Sequence, residues 1–111
     1  MDQSKEMAKL AYAALSEKKG GDIKIIDIHE VSVMADYFII ADGSNLNQVQ
    51  AMADNVEEKM AEAGYQVRQT EGYQSANWIV MDYRDVIVHI FHEQARNYYN
   101  LEKLWSDGVR V

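Results

Sequence analysis

The chain has 111 residues, of which 48% are hydrophobic and 26% charged, and it contains neither cysteine nor proline. This length fits one domain and leaves no room for two ordinary ones. The lack of cysteine excludes disulfides, thiolate catalysis and cysteine-ligated zinc. No apolar run approaches the roughly 20 residues that a membrane helix needs. Because residues 1–6 also lack the basic start of a signal peptide, we expect a cytoplasmic protein without membrane contact.

The charge balance, 18 acidic against 11 basic residues, gives a net charge of −7. The basic residues are scattered among acidic ones, whereas nucleic-acid binding by counterion release needs clustered Lys and Arg. We therefore expect no direct DNA contact and little or no direct RNA contact. An acidic domain suits a basic protein partner, because opposite fields speed encounter. On charge alone, however, simple solubility is the commoner explanation.

Hydrophobic spacing and turn residues predict an alternation of helices and strands. In chain order these are a helix over 4–19, a strand over 22–28, a strand at 37–40, a helix over 46–63, strands over 65–70, 78–83 and 86–91, and a helix from about Glu93 to Trp105. Ser44 or Asn45 can cap the central helix and Gly64 can end it. The order α-β-β-α-β-β-β-α predicts an α/β fold with a mixed five-stranded sheet and packed helices.

Three features of the sequence could suggest catalysis or ligand binding, and each has a simpler structural explanation. Asp82 and Asp85 flank the predicted hairpin, whose two-residue connection is Arg84-Asp85, and are more simply charges on an exposed turn. His89 and His92 are three residues apart, but a strand turns their side chains to opposite faces, which disfavours a metal site. Gly43-Ser44 between a strand and a helix resembles a phosphate cradle, but a capped strand-to-helix turn is the commoner explanation.

Aromatic residues are concentrated in the last third of the chain. Trp78 and Tyr83 differ in parity and so project to opposite faces of the sheet, whereas His89 shares a face with Ile87 and Phe91. We expect His89 to be half-buried or at the surface of that face. Exposed aromatics ringed by charge mark binding surfaces, and core packing is the alternative.

The same third carries a longer pattern that is specific when its pieces are taken together. The pieces are Glu71-Gly72, Trp78-Ile79-Val80-Met81-Asp82-Tyr83, Asp85-Val86-Ile87-Val88-His89-Ile90-Phe91, Glu93, Arg96, Tyr98-Tyr99 and Leu101-Glu102-Lys103-Leu104-Trp105. This pattern resembles the Iojap-like ribosomal silencing factor family, as do residues 35–40 and 48–54. The resemblance covers residues 4–107. Arg84 departs from it where the family usually has glycine, and Asn47 where the family often has a basic residue.

The resemblance implies one domain over residues 1–111, with a nucleotidyltransferase-like fold. It also implies a function, because members of the family bind the large ribosomal subunit through a basic protein of its intersubunit face, the one numbered fourteen. They thereby block joining of the small subunit and repress translation under nutrient limitation. A degenerate nucleotidyltransferase-fold protein, which binds a nucleotide or assists large-subunit assembly, is the alternative. The chain lacks the D-x-D carboxylate pair of those enzymes, so we expect no catalytic residue, no metal and no cofactor.

The resemblance also places the partner-binding surface on the predicted hairpin and the start of the last helix. The candidate residues are Trp78, Asp82, Tyr83, Asp85, His89, Glu93, Arg96 and Tyr98. For Trp78 and Tyr98, burial in the core is an equal alternative, since large aromatics are usually well buried. The resemblance and the Tyr- and Trp-rich last third also lead us to expect a symmetric homodimer when the protein is free.

Overall fold

A computed structural model describes residues 2–30, 32–33, 35–95 and 109–110. In chain order its elements are α1 Asp2–Glu17, β1 Gly21–Asp27, β2 Tyr37–Gly43, α2 Leu46–Glu62, β3 Gln69–Glu71, β4 Trp78–Asp82, β5 Val86–His92 and β6 Val109–Arg110. The strands form one sheet in the order β3-β4-β5-β2-β1-β6. β2 and β5 are parallel and the other neighbours antiparallel, so the predicted mixed α/β sheet is confirmed.

The main core lies between the two helices and one face of the sheet. Alternate residues of the strands point to this face, as the period of two requires, while each helix contributes one apolar stripe. The helix residues in this core are Met7, Ala8, Ala11, Ala14, Leu15, Val49, Met52, Ala53, Val56 and Met60. Asn55 joins the helices within this layer, because its buried amide donates to the carbonyl of Ala14 at 2.8 Å.

A second, smaller cluster lies on the opposite face, which we call the far face. It contains Ile26, Ile28, Ala35, Phe38, Ile40 and Phe91, with Trp78, Ile87 and Ala95 packed against it. Strand β2 contributes to both clusters, and all of its residues except Asp42 are buried. Strand β2 is therefore covered on both faces, which is typical of a near-continuous apolar run such as residues 37–40.

The ends of α2 follow the predicted signals. The side chain of Asn45 accepts from the backbone N–H of Gln48 at 2.8 Å, so Asn45 is the N-cap. Gly64 follows the helix with φ +93°, a backbone conformation that glycine adopts without steric cost.

One predicted strand differs from the structure, one observed strand was not predicted, and the last predicted helix is described only in part. The strand expected over 65–70 begins only at Gln69, because Tyr65 and Val67 pack against the core from an irregular segment rather than from a ladder. The two-residue strand β6, which pairs with β1, has no signal in the sequence. Residues 93–95 are helical, and the rest of the predicted last helix lies outside the described residues.

Candidate functional site

The predicted hairpin is formed by β4 and β5. The N–H of Tyr83 donates to the carbonyl of Val86 at 2.9 Å, which leaves Arg84 and Asp85 as the two loop residues. This turn fixes the register, so that Trp78 lies opposite Phe91, Val80 opposite His89 and Asp82 opposite Ile87. These pairs share the far face, because residues directly opposite each other in a ladder project to the same side.

Strand β3 extends this face beyond the hairpin. Glu71 lies beside Val80 and Gln69 beside Asp82. Gln69, Glu71, Val80 and Asp82, together with Trp78 and Ile87, are the half-exposed or exposed far-face residues of β3, β4 and the start of β5. We call this set the hairpin face. A depression of about 100 Å³ lies within it, lined by Gln69, Glu71, Val80, Asp82 and Ile87.

The chemistry of the hairpin face is that of an apolar strip with an acidic edge. Val80 and Ile87 supply the apolar floor, while Glu71 and Asp82 supply carboxylates beside it. Lys and Arg side chains combine an apolar stem with a charged head, and carboxylates bind such heads with charge-assisted hydrogen bonds. The arrangement can therefore hold basic side chains of a partner protein.

The turn that ends the hairpin is tightly bonded and locally strained. Arg84 has φ +75°, a backbone conformation that is unfavourable for residues other than glycine. The Asp82 carboxylate accepts from the Arg84 N–H at 2.7 Å, so this acid also braces the turn. The carbonyl of Asp85 accepts from the N–H groups of Asp36 and Tyr37, while the Asp85 side chain is exposed.

Next to the hairpin face, towards the centre of the sheet, lies a group of stacked rings. The indole N–H of Trp78 donates to Nδ1 of His89 at 3.1 Å, and the indole stacks on Phe91 with ring centroids 5.2 Å apart. Phe38 meets His89 edge to face at 4.7 Å. His89, in contact with these rings, is only 6% exposed, and burial lowers its pKa to about 4. The expectation of a half-buried or surface histidine is therefore wrong, although its predicted face is confirmed.

Tyr83 occupies the opposite side of the hairpin, as parity predicted. It is 4% exposed, it belongs to the main core, and its hydroxyl has no hydrogen-bond partner among the described residues. Burial, and secondarily the charge of Glu57, raises the pKa of Tyr83. Tyr83 therefore offers little surface to a partner in this conformation.

The structure thus brings Trp78, Asp82 and His89 onto one face, with Asp85 at the adjacent turn. Glu93 is exposed just beyond β5, while Arg96 and Tyr98 lie outside the described residues. Sequence reasoning did not select the other members of the hairpin face, Gln69, Glu71, Val80 and Ile87. The two-residue turn was the signal for Val80 and Ile87, because it sets the pairing of β4 with β5.

The sequence features that could suggest ligand binding or a metal site can be compared with the structure. The N–H and the hydroxyl of Ser44 both donate to Oε1 of Gln48, at 2.6 and 2.9 Å, so a side chain of α2 itself engages the helix start. Within the described part of the chain, no three His, Cys, Asp or Glu side chains are grouped so that they could hold a metal ion. The helices in that part are also too short or too polar to cross a membrane.

Comparisons with known proteins give one family. The model of the family described as "Ribosomal silencing factor during starvation" matches residues 1–111. A ribosomal silencing factor of Bacillus subtilis is 45% identical over 104 residues, which are 94% of this chain and 88% of that protein. The mitochondrial Iojap-related protein of Arabidopsis thaliana is 35% identical over 97 residues, covering 83% of this chain and 52% of that protein.

The solved structures agree with the sequence comparisons. A crystal structure of a Chromobacterium violaceum protein superposes with a TM-score of 0.91 at 37% identity, covering 93% of this chain and 86% of that one. A family match over the full length, close sequence relatives and a shared fold all point the same way. The chain belongs to the Iojap-like ribosomal silencing factor family.

Proposed function

We propose that the chain binds the large ribosomal subunit at its intersubunit-face protein numbered fourteen, blocks joining of the small subunit, and so represses translation when nutrients are short. Membership of the ribosomal silencing factor family over residues 1–111 is the observation that carries this proposal. The same proposal places the protein in the cytoplasm and gives it no catalytic step, because steric exclusion needs only a stable interface in the right place.

The hairpin face, with Asp85 at the adjacent turn, is the surface that we assign to this contact. Half-exposed Trp78, Val80 and Ile87 form a compact apolar area with Glu71 and Asp82 beside it. Protein interfaces commonly combine a desolvated aromatic anchor with a polar rim. Trp78 has the chemistry of such an anchor, and the carboxylates have that of a rim facing a basic partner.

The overall charge supports the same choice of partner. At a net charge of −7, the chain attracts a basic protein over a distance of about a Debye length, roughly 8–10 Å at physiological salt. This attraction mainly raises the rate of association and selects against acidic surfaces. A stable contact still needs an interface of roughly 1,600 Å² in total. The hairpin face can form only part of such an area, so neighbouring segments contribute the rest.

Charge reversals on two sides of the fold test the assignment. Glu71→Lys changes the hairpin face and Asp85→Lys the turn, whereas Glu58→Lys makes the same change on exposed α2, behind the other face of the sheet. All three residues are exposed, so the melting temperature should hardly move. We expect the first two variants to bind purified large subunits about tenfold more weakly, equivalent to about 1.4 kcal/mol, and Glu58→Lys to bind like the parent.

Two results would contradict this assignment. Equal binding by Glu71→Lys, Asp85→Lys and the parent would remove the hairpin from the interface. An equal loss in all three variants would show that only the net charge matters and not a particular surface. Affinity that does not fall as salt is added would remove the electrostatic part of the proposal.

A further inference from the structure

We propose that His89 is a positioning residue, which holds the Trp78 indole in the orientation that the partner recognises without contacting the partner itself. This inference rests on the proposed function, since it concerns the anchor of the same surface. The position of His89 on the hairpin alone would suggest that it contacts the partner directly. The inference assigns it a different role.

The geometry gives the indole two independent restraints. Val80 is the direct cross-strand neighbour of His89, so Trp78, two residues earlier on the same strand, is its diagonal neighbour. Stacking on Phe91 at 5.2 Å and 23° fixes the plane of the indole. The hydrogen bond from Nε1 to Nδ1 of His89 at 3.1 Å fixes which edge of that plane points inwards. A Trp side chain has two rotatable torsions, and these two contacts restrain both.

The imidazole is itself held in place and in one tautomer. Phe38 packs edge to face against it, and the side chain is buried. Because Nδ1 accepts the indole proton, the proton of the neutral ring is on Nε2. That nitrogen is buried and has no hydrogen-bond partner among the described residues. His89 therefore directs its one acceptor towards Trp78 and cannot reach a partner surface.

A fixed anchor binds more tightly than a mobile one, because less side-chain freedom is lost on association. Immobilising one large side chain costs about 0.5–1.5 kcal/mol, which corresponds to roughly two- to tenfold in affinity. Loss of the His89 acceptor should therefore weaken partner binding by up to about tenfold while leaving the Trp78 ring present.

Three substitutions at His89 separate the acceptor from simple filling of space. His89→Asn keeps an acceptor near the position of Nδ1, His89→Gln moves it towards that of Nε2, and His89→Leu removes it. Val88→Ala is the control, because Val88 is fully buried on the other face of the same strand and its loss destabilises the core away from Trp78.

Two measurements are made on each variant. The first is the indole N–H signal in a ¹H–¹⁵N spectrum. The chain has two tryptophans, and Trp78→Phe identifies which signal belongs to Trp78. The second is affinity for purified large subunits. We expect His89→Leu and His89→Gln to shift the Trp78 signal upfield and to bind up to tenfold more weakly. His89→Asn should largely restore both, and Val88→Ala should change neither.

The outcomes are distinct. If the Trp78 signal is the same in parent, His89→Leu and His89→Gln, the hydrogen bond does not set the indole and the inference is overturned. If the signal shifts while affinity is unchanged, the orientation does not matter for binding, and the inference alone fails. If the parent does not bind large subunits, the proposed function fails and takes this inference with it. If His89→Leu does not fold, the comparison of His89→Gln with His89→Asn answers the same question.

Discussion

Acidification should reveal how completely the far face encloses His89. In the unfolded chain this histidine titrates near its ordinary pKa of 6.5, whereas in the fold its pKa is about 4 because burial disfavours the charged ring. The unfolded state therefore takes up a proton first as the pH falls. The free energy of unfolding is therefore highest above pH 6.5 and decreases progressively as the pH falls from 6.5 to 4.

The magnitude follows from the size of this shift. One pKa unit is worth about 1.4 kcal/mol, so the fold should lose about 2 kcal/mol between pH 7 and pH 5 and about 3 kcal/mol by pH 4. Described groups packed around the ring, Phe38, Trp78 and Phe91, carry no charge that could offset this loss. In the same row across the sheet, Glu71 and Lys24 are each separated from His89 by one strand, on opposite sides.

Urea unfolding at pH 7, 6 and 5 measures the effect, with the parent compared to His89→Asn at each pH. The difference in pH dependence between the parent and His89→Asn reports on His89, because the carboxylates titrate in both proteins. His29→Asn is the control, since His29 is exposed and its pKa is raised by its hydrogen bond to Asp27, so its removal should leave the acid-induced loss in place. Parallel pH dependence in the parent and His89→Asn would refute the reasoning, because it would mean that His89 is solvated in the fold.

Three further predictions concern the turn, the core beneath it and the free protein. Tyr83→Phe removes a buried hydroxyl without a partner among the described residues, so the free energy of unfolding should stay constant or rise by about 1 kcal/mol; a fall of that size in urea unfolding would contradict this. Arg84→Gly should raise the free energy of unfolding by about 1 kcal/mol, because position 84 has φ +75°, and an unchanged or lower urea midpoint would count against strain there. Light scattering at tens of micromolar should give the mass of a homodimer, and a monomer mass would refute self-association.

The sequence was most informative where a local rule determines geometry. Parity placed Trp78 and Tyr83 on opposite faces, and the two-residue turn set the register that brings Trp78 near His89. The cap at Asn45 and the glycine after α2 followed from the backbone conformations that helix ends require. These features depend on residues close together in the chain, which is why they could be predicted.

The features that could not be predicted depend on packing between distant segments. The apolar residues at Tyr65 and Val67 alternate as a strand would, but they contact the core from irregular backbone. His89 contacts Phe38, which lies on a strand about 50 residues earlier in the chain, and parity alone does not reveal this contact. The hairpin face likewise includes Glu71, whose place beside Val80 follows only from the pairing of β3 with β4.

Sedimentation of the protein with separated ribosomal subunits tests the central claim most directly. At low salt the protein should sediment with the large subunit and not with the small one, and it should be released as salt rises. Prior binding should then lower the amount of small subunit that joins the large one. Equal binding to both subunits, binding to naked ribosomal RNA, or undiminished subunit joining with the protein bound would contradict the proposed function.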